Sequence, residues 1–114
     1  MSDDKNKDML ALAEKIGQAL AETKEFLQKQ EAEQQLRSNR EARKLVKDFQ
    51  TLKNSFERME KLGHMLTEKN KVQLKEVEDK AMANPIVKNW FDRSQQFYDL
   101  VIAVNKKMQA GITE

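Results

Sequence analysis

Ala42, Leu45, Phe49, Leu52, Phe56 and Met59 recur at a 3-4-3-4-3 spacing, and Val87, Trp90, Ser94, Phe97, Val101, Val104 and Met108 at 3-4-3-4-3-4. Only the helical period of 3.6 residues keeps such rows on one face, because a strand would send neighbouring members to opposite sides. The spacing predicts two long helices with coiled-coil-grade seams, over 40–62 and 85–110, each about 35–40 Å long at ~1.5 Å per residue. With 3 glycines and 1 proline among 114 residues, the chain lacks the frequent turn signals of a β-sandwich or barrel.

The rest of the sequence reads as shorter helices. Met9, Ala13, Ile16, Leu20 and Leu27 lie on one stripe, with Thr23 in the seam position between the last two. A helix over 8–37 is predicted after a polar, frayed start at 1–7, with Asp8 as its cap or Ser2 to Asp4 in that role. A break is expected near 23, because the Thr23 hydroxyl can cap a new turn beginning at Lys24. Ser38 and Asn39 are the next capping signal, and Gly63 suits the left-handed residue that ends a helix. Thr67 is placed to cap a thinner helix over 68–83. Asn84-Pro85 is the sharpest boundary in the chain, a good cap before a proline at the first helical position. Gly111 is expected to close the last helix.

The fold class expected is all-α: an elongated helical hairpin or bundle of four to five helices, in a single domain spanning 1–114. The two long helices are expected to pack antiparallel, with the 68–83 helix returning the chain. A second row, Phe91, Tyr98, Ile102 and Asn105, widens the apolar face of the last helix, and so wide a stripe needs two neighbours. A homodimer is the favoured cover, since two-fold pairing of hairpins makes a four-helix bundle. Its candidate seam is Leu45, Phe49, Leu52, Phe56 and Met59 with Trp90, Phe91, Phe97, Tyr98 and Val101. The alternative is a monomeric bundle in which the same residues are core.

Reactive chemistry finds little to work with. The chain has no cysteine, which removes disulfides, thiolate metal sites and cysteine nucleophiles. Glycine-rich phosphate loops and nucleophile elbows are absent from the sequence. Glu57, Glu60 and the single histidine, His64, would share a face only on a continuous helix. Their spacing is Glu-x-x-x-His rather than the Glu-x-x-His of bundle di-metal sites, so they read as solvated side chains. No enzyme activity, cofactor or metal is expected. The longest apolar runs, Met9–Ala13 and Leu100–Val104, are five residues each, far short of the ~20 needed to span a membrane. With a polar, partly acidic start, the chain reads as cytoplasmic.

Charge is uneven along the chain. Residues 1–36 carry 5 basic and 8 acidic side chains, and residues 37–60 carry 7 basic and 4 acidic. Arg37, Arg40, Lys44 and Lys47 recur at 3-4-3 spacing with Arg43 beside them, a candidate charged contact surface. The favoured reading is a solvated face. The minority reading is a contact with an acidic protein or with nucleic-acid phosphates, although Glu41 and Asp48 interrupt the row and no aromatic is interleaved for base stacking.

Several stretches together resemble a known family. Ala42-Arg43-Lys44-Leu45-Val46-Lys47-Asp48-Phe49, after the Asn39 cap, is similar to the start of the long helix in the YlbF/YmcA/YheA family of small bacterial proteins. The turn at Gly63, the segment Asn84-Pro85-Ile86-Val87 and the closing Phe97-Tyr98-Asp99-Leu100-Val101-Ile102-Ala103-Val104-Asn105 also fit. Thr23-Lys24-Glu25-Phe26 is similar to the family's Ser-x-Glu-Tyr element. The resemblance covers about residues 8–112. It implies an all-helical, dimerising cytoplasmic protein of mostly Gram-positive bacteria, acting without catalysis in competence, sporulation or biofilm control. It also implies partners among other family members or a ribonuclease complex that processes RNA. Cysteines tied to iron–sulfur clusters in some members are absent here. Arg93-Ser94 stands where the family usually shows a small residue followed by glutamate.

Overall fold

The structure is a computed structural model that describes residues 2–113, so Met1 and Glu114 lie outside the described residues. It contains five α-helices: α1 (Ser2–Ala21), α2 (Lys24–Ser38), α3 (Arg40–Lys61), α4 (Glu68–Met82) and α5 (Pro85–Ile112). Among the described residues there is no strand, and none of these helices is long and apolar enough to cross a membrane.

Each boundary has a local cause. Thr23 separates α1 from α2: its hydroxyl donates to the Leu20 carbonyl at 2.6 Å and accepts from the Phe26 amide at 3.2 Å. It thereby satisfies the end of one helix and the start of the next. Asn39, in extended conformation, accepts from the Ala42 amide at 2.9 Å and opens α3. At the other end Gly63 adopts φ +88°. Its amide donates to the Glu60 carbonyl and that of His64 to the Met59 carbonyl, both at 3.0 Å, the paired bonds of a Schellman closure. Thr67 and Asn70 cap α4 reciprocally, side chain to amide, at 3.1 Å each way. The Asn84 side chain accepts from the amides of Ile86 and Val87 at 2.9 and 3.2 Å, and α5 follows.

Two differences from the sequence reading stand at the chain ends. α1 begins at Ser2, with Asp3 and Asp4 in its first turn, where carboxylates favour the positive helix end. Of the frayed start expected over 1–7, the described residues 2–7 are helical. Gly111 lies inside α5, and the Thr113 amide still donates to the Gln109 carbonyl at 3.1 Å. A glycine ends a helix only when it turns left-handed, and among the described residues Gly63 alone does so.

The chain divides into two compact units, one formed by the residues up to Glu31 with those from Arg93 onward, the other by Ala32–Asp92. In the second unit α4 folds back along α3, which is the main helix pairing there. Ala42, Ala81 and Val87 are buried together, with Leu36, Leu45, Val46, Met82 and Ile86 packed around them. Two alanines let backbones approach closely. The sequence reading paired α3 with α5 instead. Within this unit α5 contributes Ile86 and Val87 to the core, and its later turns belong to the other unit. In that unit, α5 faces α1 and the start of α2. Phe26 stacks on Phe97 with ring centroids 5.3 Å apart, and Arg93 Nη1 donates to Gln28 Oε1 at 3.0 Å.

Candidate functional site

The seam residues are placed by the two long helices. Leu45, Phe49, Leu52, Phe56 and Met59 line α3, and of the five only Phe56 is buried, the others being half-buried. On α5, Trp90, Phe97 and Val101 are half-buried, whereas Phe91 is 49% and Tyr98 60% exposed.

Part of this seam forms a groove within the second unit. Phe49 on α3 and Trp90 and Phe91 on α5 line an apolar hollow of about 400 Å³. Its other walls are Val46, Gln50 and Lys53 from α3, Leu74, Glu78, Ala81 and Met82 from α4, and Val87. The sequence reading missed Val46, Gln50, Lys53 and Glu78. Val46, Gln50 and Lys53 form a row at 4-3 spacing beside the main seam, a signal that was present but thin. The opening carries one cation and one anion, Lys53 and Glu78, around an apolar floor. This is the anatomy of a site that takes a hydrophobic side chain or helix face.

The candidate charged residues also lie in this unit. Arg40, Arg43, Lys44 and Lys47 occupy the first two turns of α3 and the turn beyond, all exposed. Arg37 belongs to the last turn of α2. The break at Asn39 therefore takes it out of the 3-4-3 row. Among the described residues, none of the five makes a side-chain hydrogen bond or ion pair. Arg40 and Arg43 also stand at the positive end of the helix, where a cation is electrostatically disfavoured.

Glu57, Glu60 and His64 are not brought onto one face. α3 ends at Lys61, and the left-handed turn at Gly63 carries the exposed His64 off its axis. Among the described residues, no group of three or more His, Asp or Glu is placed to hold a metal ion. Among the described residues, Lys75 is the ionisable group whose surroundings move its pKa. A hydrogen bond to Asp79 and that carboxylate's charge raise its pKa, an ordinary exposed i,i+4 pair.

A family model described as control of competence regulator ComK, YlbF/YmcA, matches residues 9–113. The chain belongs to the YlbF/YmcA family. The match runs from the first stripe residue of α1 through the last described residue, and so takes in residues of all five helices. No curated protein and no solved structure matches the chain. The description ties the family to control of a competence regulator. The surfaces above are where a YlbF/YmcA protein with this sequence has apolar and charged groups left to offer.

Proposed function

We propose that this chain is a non-catalytic cytoplasmic adaptor in the control of competence, and by family likeness of sporulation or biofilm formation. It works as a homodimer or with other family members, and contacts a protein such as a ribonuclease complex through the groove between α3, α4 and α5. The observation that carries the reading is that groove itself: an apolar hollow flanked by a half-buried Trp90 and a half-exposed Phe91. Aromatic side chains in desolvated pockets concentrate binding energy in protein interfaces.

The test is complementation of a deletion strain with wild type or with Phe91→Glu, following a reporter for the competence regulator and the proteins cross-linked to the chain. Wild type restores the reporter and captures a defined partner. The variant loses both while its helical circular dichroism is retained. A purified protein with specific substrate turnover, or a variant that behaves as wild type, overturns the reading.

A second reading is favoured by the five unpaired cations: direct binding of nucleic acid by Arg37, Arg40, Arg43, Lys44 and Lys47. Binding would weaken steeply with salt as counterions are released, and Arg40→Glu with Lys44→Glu would abolish it. Absent or salt-insensitive binding ends this reading.

A further inference from the structure

The groove between α3, α4 and α5 runs lengthwise along two of its walls. At ~1.5 Å per residue, the rise from Val46 to Lys53 along α3 is about 10 Å, and from Leu74 to Met82 along α4 about 12 Å. The third wall is the start of α5, where Val87, Trp90 and Phe91 stand. All three walls are helices, so their backbone has little to offer a ligand. Interior amides and carbonyls bond within each helix, and the Asn84 side chain takes the Ile86 and Val87 amides where α5 begins. An extended segment, which is recognised by main-chain bonds to a strand edge, finds no such edge here. Whatever enters must bind through its side chains.

We infer that the occupant is an amphipathic helix of a partner protein, with large apolar side chains at i, i+3 or i+4, and i+7, an acid facing Lys53 and a base facing Glu78. The inference rests on the proposal above that this groove contacts a protein, and it names the chemistry of the contacting segment. Length selects a helix. Anchors seven residues apart on a helix are separated by about 10 Å, the length of the groove, whereas in an extended chain they are separated by about 23 Å. Charge selects the flanking residues. Among the described residues, neither Lys53 nor Glu78 makes a hydrogen bond or an ion pair. Lys75, a cation that feels the charge of Glu78, is itself bonded to Asp79 at 2.9 Å. Because α4 folds back along α3, Lys53 stands at the Leu74 end of the groove, and Glu78 is one turn of α4 further on. The two opposite charges beside an apolar floor therefore match an acid and a base about one turn apart on the incoming helix.

Trp90 is the one tryptophan of the chain and lines the groove, so its emission reports occupancy without a label. Two displayed libraries of tryptophan-free peptides are selected on the full chain, one alanine-based and helical, the other interrupted by prolines that bar a helix. The helical library yields peptides with the stated apolar spacing, which move Trp90 emission to shorter wavelength and saturate. At low salt they bind Lys53→Glu about 5-fold more weakly than wild type. Changing the acid of the peptide to lysine restores binding to Lys53→Glu, a rescue that a misfolded variant would not give. Peptides that shift Trp90 emission but come from the proline library, lack the spacing or bind Lys53→Glu as tightly as wild type overturn the helix and leave the groove a protein contact. If no retained peptide moves Trp90 emission, the helix and the groove contact both fall. Trp90 emission that changes with protein concentration alone means that a second copy fills the groove, and it overturns the helix of a partner.

Discussion

The ring of Phe26 stands 5.3 Å from that of Phe97, tilted by 55°, and the Lys29 ammonium lies 5.9 Å from the Phe97 centroid. One aromatic at the start of α2 thus meets one in the middle of α5, where Phe97 also takes a cation. Both rings are half-buried, so truncation removes about half of what a core phenylalanine would. Phe97→Ala should cost about 2 kcal/mol. Phe97→Leu, which keeps part of the apolar bulk without the ring contact, should cost about 1 kcal/mol. Urea unfolding measures both, and hydrogen exchange should show the loss of protection concentrated in α1 and the start of α2.

Gly63 ends α3 at φ +88°, and a Cβ built there would meet nothing within 4 Å. The penalty for a side chain is therefore in the backbone and not in packing. Gly63→Ala should destabilise by about 1–2 kcal/mol, whereas Gly63→Asn should recover part of that because asparagine tolerates the left-handed region. Thermal unfolding of the two variants side by side checks the order. Equal costs would mean that the closure does not depend on φ at this residue.

Asn84 accepts two amide hydrogen bonds at the start of α5, from Ile86 and Val87. Pro85 brings no amide of its own to satisfy. Asn84→Ala should cost about 1 kcal/mol, and Asn84→Asp should be close to neutral, since a carboxylate caps as well and suits the helix dipole. Denaturant midpoints with unchanged slopes would report the effect.

These caps were legible in the sequence because each is a contract among residues two or three positions apart: Thr23 with Phe26, Asn39 with Ala42, Thr67 with Asn70. The all-α class and the family followed from periodicity and a handful of short stretches in the same way. What periodicity hides is identity of the partner face. The seam from Leu45 to Met59 says that one side of α3 is covered, but α4 and α5 carry equally acceptable stripes, and the choice of α4 is made by the short link after Gly63. The groove escaped for the same reason, being assembled from α3, α4 and α5 through residues off the main rows. Arg37 shows the converse error. Its spacing to Arg40 looks helical only if the chain does not bend at Asn39. Gly111 looked like a helix end because its type permits one, yet nothing after it supplies the turn.

The core of the second unit turns on two small residues, Ala42 at 0% exposure and Ala81, buried together with Val87. Small side chains at a helix crossing set how closely the helices approach, and a close-packed crossing has no slack for added methylenes. Ala42→Leu should therefore cost about 1–3 kcal/mol by overpacking, although leucine is the more hydrophobic residue and nearly as good a helix former. Ala83→Leu, at an exposed position next to the same helix, should shift stability by no more than about 0.5 kcal/mol. Urea denaturation of both variants decides the matter. If Ala42→Leu were neutral or stabilising, the crossing would contain unfilled space, and the buried alanines would mark loose packing instead of the tight contact that fixes how α4 lies on α3 and so shapes the groove beside it.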